Sequence, residues 1–186
     1  MAYGFLPIGG MDGRPYNGGT TRCVKLAADA TAIYPGDFVR QNGTGSTDGV
    51  LSVTKVAAGE VILGAVVSVE PTMATDLPFA AASASTDRFL NVAVAVNGSL
   101  FKCNPATAIA VTDLGGNADI SVSAGAAPYY VSRSSILGSG SYGVGSAQLN
   151  LVGVVQDGVG ATSTSSNLIV RVAEPQIGAD TASVGV

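Results

Sequence analysis

Short runs in which apolar and polar residues alternate make up most of this chain, and turn residues separate them. Alternation with a period of two is typical of β-strands that bury one face. No stretch of twelve or more residues keeps the 3.6-residue period of an amphipathic helix. The predicted strands cover residues 21–26, 38–41, 50–56, 60–69, 88–96, 99–103, 108–112, 129–132, 149–155 and 168–172.

Turn signals support these strands. Tyr34-Pro35-Gly36-Asp37 precedes one of them, and Asp48-Gly49 and Asn97-Gly98 are dipeptides typical of tight hairpins. Many short strands with a turn every 8–12 residues or so favour an all-β fold, a single β-sandwich or β-barrel domain. The pattern does not choose between the two.

The first twenty residues differ from the rest of the chain. They hold six glycines and two prolines and show no period, which predicts an extended N-terminal arm over residues 1–20 beside one all-β domain over residues 21–186. We expect the arm to dock on a neighbouring subunit, because several of its residues are poor ones to leave in water: Tyr3, Phe5, Leu6, Ile8 and Tyr16. Its deletion should then leave the domain folded.

Charge is scarce in this sequence. Nine Lys and Arg and thirteen Asp and Glu occur in 186 residues, about half the usual share of a soluble chain. A surface with so few charges is either covered by small polar residues or buried against other subunits. The composition therefore favours an assembly protein.

The same count argues against two kinds of partner. The net charge is −4 and the basic residues are scattered, whereas nucleic-acid binding needs a basic stripe. The longest strongly apolar run, residues 61–67, is far shorter than the roughly 20 residues of a membrane span. Residues 1–11 lack a basic segment, so we expect no signal peptide and synthesis in a cytoplasm.

Residues suited to catalysis are also few. The chain has no histidine, which removes the Ser-His-Asp and Cys-His arrangements and leaves a poor ligand set for zinc. Most acidic residues occupy turns, where they usually bond their own backbone. We therefore expect no enzyme, no cofactor and no metal. Cys23 and Cys103 are expected to be free, buried thiols.

Two short motifs resemble ligand sites without their context. Gly138, Gly140 and Gly143 match the spacing of a dinucleotide-binding loop, but no helix and no correctly placed acid follow. The turn from Asp113 to Asp119 has alternate oxygen ligands but lacks the spacing of a calcium loop and its closing glutamate. An Asx-rich turn accounts for it better.

Several motifs occur in the order found in a known family. They are Gly4-Phe5-x-Pro7, Gly13-Arg14-Pro15-Tyr16-Asn17-Gly18, Asp29-Ala-Thr-Ala with Gly36-Asp37-x-Val39, the hairpin at 92–103, Asp113-Leu-Gly-Gly-Asn-Ala-Asp119, and the closing strands at 151–155 and 169–172. Together they resemble the structural cement, or head decoration, proteins of tailed bacteriophages. The central hairpin departs from the family by reading Val96-Asn97-Gly98-Ser99 where acid and proline are expected.

The resemblance implies an all-β protein on the outer surface of an icosahedral shell, made in the host cytoplasm. It implies binding to the major capsid protein and to itself, often as a homotrimer, and clamping of neighbouring capsid subunits. No catalytic or cofactor residues come with it. The candidate capsid or subunit contacts in this chain are Phe5, Pro7, Arg14, Pro15, Tyr16 and Asn17.

Two other functions stay open. A tail or fibre component would share this composition. A carbohydrate-binding module for host attachment would need exposed aromatic rings, and Tyr129, Tyr130 and Tyr142 are the candidates. For the adjacent pair Tyr129-Tyr130, the more common arrangement is one core and one surface residue.

Overall fold

The alternating segments form short β-strands in a computed structural model that describes residues 3–46, 48–71, 76–81, 86–106, 109–137, 147–155 and 167–177. Within these ranges there is no α-helix, and a single 3-10 turn covers Val111–Asp113. The strands are β1 (Leu6–Gly10), β2 (Thr21–Lys25), β3 (Phe38–Gln41), β4 (Val53–Lys55), β5 (Gly64–Val69), β6 (Arg88–Val94), β7 (Ser99–Cys103), β8 (Asn117–Ala118), β9 (Ile120–Ser121), β10 (Ser135–Ile136), β11 (Leu149–Val155) and β12 (Asn167–Val172).

Two five-stranded antiparallel sheets contain most of these strands. The first sheet has the order β1-β7-β12-β11-β8, and the second has the order β2-β6-β5-β3-β4. A two-stranded ribbon of β9 and β10 stands beside them. The sheets pack face to face, because one apolar cluster contains Phe101 and Leu168 of the first sheet and Phe38 and Ala65 of the second. The predicted all-β fold is confirmed, and the packing is that of a β-sandwich.

The second sheet also curls until its two edges meet. The backbone N–H of Val24 in β2 donates to the carbonyl oxygen of Leu51, 2.9 Å away, and Val24 forms a parallel bridge with Ser52, next to β4. A second apolar cluster, which includes Val39, Leu63 and Leu90, fills the curl. The middle of the second sheet is therefore covered on both faces, and the sheet has no open edge at this point.

Most predicted strands are confirmed, with changes at their ends. The tight turn at Asn97-Gly98 joins β6 to β7, with Gly98 at a φ of 92°. Two predicted strands are wrong. The segment predicted at 108–112 enters the 3-10 turn, where the Asp113 carboxylate accepts a hydrogen bond from the Ala110 backbone N–H at 3.1 Å. The segment predicted at 129–132 lies in a turn closed by an isolated bridge between Ala126 and Val131.

The separate N-terminal arm is not confirmed. Residues 6–10 form strand β1, which pairs antiparallel with β7 at the edge of the first sheet. Phe5 is fully buried, and its ring stacks on that of Phe38 with centroids 4.1 Å apart. Phe38 in turn meets the Phe101 ring edge-on at 5.1 Å. Phe5 is thus covered by the chain's own core, and pairing with β7 makes residues 6–10 part of the domain, although Leu6 remains exposed at the sheet edge.

No helix in the described part of the chain is long and apolar enough to cross a membrane.

Candidate interaction surface

The first half of the N-terminal motif is structural. Gly4 adopts a φ of 73°, and its backbone lies against that of Gly36, where an added Cβ would overlap the Gly36 carbonyl oxygen. The Phe5 N–H donates to the same oxygen at 2.8 Å. Glycine is needed here for both its conformation and its size. This contact directs the Phe5 side chain into the core, so Phe5, a candidate contact residue, is not available to a partner.

Pro7 lies on the edge strand. It pairs with Phe101 of β7 and is partly buried. A proline at a sheet edge leaves no donor for another strand to pair with, which protects the edge. The outer side of β1 is further covered by a bridge between Gly9 and Pro15 and by the Tyr16 N–H, which donates to the Ile8 carbonyl at 3.0 Å.

The second half of the motif forms an exposed turn at this edge, which we call the edge turn (residues 11–19). Its backbone is fixed by hydrogen bonds from Gly10 N–H to the Arg14 carbonyl, 2.9 Å, and from Met11 N–H to the Gly98 carbonyl, 2.9 Å. The Asn17 side-chain oxygen accepts from the Gly19 N–H at 3.0 Å, and the Tyr16 hydroxyl donates to the Gly19 carbonyl at 3.0 Å.

The candidate residues of the edge turn are therefore held in place and face solvent. Arg14, Pro15 and Asn17 are exposed, and Tyr16 is partly buried. Arg14 forms an ion pair with Asp12 over 3.3 Å, and its side chain remains 87% exposed. Of the six residues predicted as contacts, the structure places Arg14, Pro15, Tyr16 and Asn17 together and puts Phe5 in the core.

A buried polar network joins the second sheet to the loop at 123–134. Asp37 is fully buried, and its carboxylate lies 3.0 Å from the Lys55 ammonium. It also accepts hydrogen bonds from the hydroxyls of Ser132 and Ser134 and, at 2.9 Å, from the Tyr34 N–H. Lys55 donates to the Ser123 carbonyl at 3.0 Å. Asp37 is fully buried and its carboxylate is bonded to Lys55, Ser132, Ser134 and the Tyr34 N–H, so this network fixes the loop against the second sheet.

Three aromatic rings stack next to this network. Tyr34 and Phe79 have ring centroids 4.6 Å apart, and Phe79 and Tyr130 have centroids 5.4 Å apart, both pairs nearly parallel. Tyr129 is 63% exposed. The adjacent tyrosines thus divide into one packed and one surface residue, as predicted, whereas Tyr142 lies outside the described residues.

The candidate metal ligands and the two cysteines can be located within the described ranges. No group of three or more Cys, Asp or Glu side chains there could hold a metal ion. The glycines at 138–143 lie outside those ranges. Both cysteines are free and buried. Burial raises the pKa of the Cys23 thiol to about 11 and that of Cys103 further still, so both stay protonated and unreactive near neutral pH.

The first sheet presents a second surface that the sequence did not single out. Residues 101, 103, 168, 170, 149 and 151 point into the core, so their neighbours along each strand point outward. We call this set the outer face; it consists of Leu6, Leu100, Lys102, Ile169, Arg171, Asn150 and Val152. Alternation predicts which residues face out, but only the strand order brings β1, β7, β12 and β11 side by side.

Comparison with protein-family models, with curated proteins and with solved structures found no match for this chain.

Proposed function

We propose that the chain is a virion structural protein that binds the outer surface of a phage capsid and stabilises contacts between major capsid protein subunits. The observation that carries the proposal is the edge turn, which bears the exposed part of the family-like motif. The other residues of that motif build the fold. Arg14, Pro15 and Asn17 are exposed and belong to neither apolar cluster of the described residues, and the proposal gives them a role.

The geometry of the edge turn favours recognition. Gly13 and Gly18, at φ of 80° and 83°, have no atom within 4 Å of an added Cβ, so the turn projects into open space. Backbone hydrogen bonds hold the edge turn in one conformation in the absence of a partner. A pre-formed loop loses little conformational entropy on binding.

Charged residues are scarce in this chain, and so are residues suited to catalysis. Both features favour a structural role. Only 12% of the chain is charged, which suits a subunit that buries surface in symmetric contacts. The polar groups around Asp37 form hydrogen bonds that stabilise the fold. Binding to the major capsid protein, and to further copies of itself as a homotrimer, is the function that these features support best.

Co-sedimentation with empty shells tests the proposal. Shells of the phage that encodes the chain should pellet it in a fixed ratio to the major capsid protein, and light scattering should give the mass of a trimer for the free protein. The Arg14→Ala/Asn17→Ala variant should pellet less. A chain that stays in the supernatant at micromolar concentration would contradict the proposal.

A control variant separates the edge turn from a general charge effect. Arg133→Ala removes an exposed cation from the loop that borders the Asp37 network, far along the chain from the edge turn. It should pellet as the unmodified chain does. Equal losses in both variants would assign binding to overall charge instead of to the turn.

Carbohydrate binding is the second candidate, and Tyr129 is the observation that favours it. An exposed tyrosine beside a stack of three rings is a surface on which a sugar ring can pack. Host-surface glycans fixed on an array should then capture the chain, and Tyr129→Ala should lose the signal. Localisation of the chain to the tail by immunogold labelling would instead favour a tail or fibre component.

A further inference from the structure

We infer that the outer face of the first sheet is a docking surface for a protein partner whose contact region carries carboxylates among apolar side chains. The inference rests on the proposed function and adds the chemistry of the contact: the partner is the major capsid protein, and its matching surface is acidic. The edge turn would then be one border of a larger interface.

Apolar side chains occupy much of the outer face. In one row across the sheet, Leu6 pairs with Lys102 and Lys102 pairs with Ile169. Leu6 is 44% exposed, and Val152, on β11 beside β12, is 38% exposed. The outward residues of a sandwich are usually polar, so this face is unusual for one that meets only water.

The charges on the outer face are all positive. It carries Lys102 and Arg171 and no Asp or Glu, although the chain as a whole has a net charge of −4. In the described part of the chain, five of the nine basic side chains form ion pairs. Lys25 is buried and donates to the Asp29 carbonyl at 2.8 Å. The three cations left are Lys102, Arg133 and Arg171, and two of them share this face.

The guanidinium of Arg171 has few hydrogen-bond acceptors in the described part of the chain. Its Nε is buried and has no hydrogen-bond partner among the described residues. Its Nη1 lies 3.9 Å from the Met11 sulfur, which is a weak acceptor. A guanidinium presents parallel N–H groups that match the two oxygens of a carboxylate. Arg171 as a whole is only partly buried, so a carboxylate from a partner would bind its outer N–H groups, for which the described part of the chain provides the weak Met11 acceptor.

The charges also argue against a second copy of the chain as the occupant. A two-fold contact of this face with itself would bring two copies of Lys102 and two of Arg171 together without an acid between them. Like charges across an interface are unfavourable. Met11 of the edge turn touches Arg171, so the face and the turn are continuous, and one partner can cover both.

Charge reversal at Lys102 tests the inference, with Arg133→Glu as the matched control. Both residues are cations without an ion pair among the described residues, and only Lys102 lies on the outer face. Lys102→Glu should weaken binding to empty shells by about tenfold or more, whereas Arg133→Glu should leave it within about twofold. Lys102→Arg keeps the charge and should retain binding. Circular dichroism and thermal unfolding check that each variant is folded.

Zero-length cross-linking provides a second measurement. A carbodiimide activates a shell carboxylate, the Lys102 amine attacks it, and an amide forms as a urea is released. Mass spectrometry should then find Lys102 joined to an Asp or Glu of the major capsid protein. Equal binding by Lys102→Glu and the unmodified chain, with no cross-link at Lys102, would overturn the inference alone. Failure of the unmodified chain to bind shells would overturn the proposed function and this inference with it.

Discussion

The backbone N–H of Phe5 donates to the carbonyl oxygen of Gly36 over 2.8 Å, and this approach leaves no space for a side chain at Gly4. The contact fixes the start of the chain against the turn that precedes β3. It therefore anchors the edge strand β1, and through it the edge turn, to the second sheet.

Gly4→Ala should destabilise the protein more than Gly13→Ala. Both glycines have positive φ, 73° and 80°, so each alanine should cost about 1–2 kcal/mol of backbone strain. Only Gly4 also meets the Gly36 backbone, which should add about 1–3 kcal/mol. Urea denaturation of the two variants measures the difference. Equal free energies of unfolding would contradict the close packing at Gly4.

Phe5→Ala should lower the free energy of unfolding by about 3–5 kcal/mol, because it empties a buried position between Phe38 and the rest of the core. Arg14→Ala is the control within the same motif, and its exposed side chain should contribute less than about 1 kcal/mol. If Phe5→Ala leaves the urea midpoint of unfolding unchanged, the segment around Phe5 is a separate arm, as the sequence predicted.

That arm illustrates what the sequence can and cannot predict. Residues 88–103 contain both a strong alternation and an Asn-Gly turn, so a local pattern predicted β6 and β7 nearly at their observed bounds. The glycine-rich residues 6–10 have no such pattern. They become a strand because β7, about ninety residues away, provides a partner. Pairing at that separation is not visible in a local window.

The error at residues 108–112 has a local cause. Residues 108–112 look like a strand, but the Asp113 carboxylate binds the Ala110 N–H and turns the backbone. Arg14, Tyr16 and Asn17 were predicted as surface contacts from the motif, and they do share one turn. Lys102 and Arg171 could be assigned outward positions by alternation, but their shared face depends on the pairing of β7 with β12.

Lys55→Ala should cost about 3–5 kcal/mol, because it leaves the buried Asp37 carboxylate without its cation. The double variant Lys55→Met/Asp37→Asn should recover part of that loss, since it removes the buried charge as well. Urea denaturation of Lys55→Met, Asp37→Asn and the double variant measures the coupling free energy between the two side chains. Hydrogen exchange should report loss of protection at Ser132 and Ser134 in the single variant. A loss in the double variant equal to the sum of the losses in Lys55→Met and Asp37→Asn would contradict a direct interaction.

The Cys23 thiol should make stability fall as pH rises above about 9. Burial raises its pKa from the ordinary value of 9.0 to about 11 in the folded protein. Between these values the unfolded chain has released the thiol proton and the folded chain still holds it, so the unfolded state is favoured as pH rises. The free energy of unfolding, measured in urea at pH 8 and pH 10.5, should drop further for the unmodified chain than for Cys23→Ala. Because other groups titrate in both proteins, only the difference between the two slopes reports on the thiol, and identical slopes would show that Cys23 ionises as readily in the folded state as in the unfolded one.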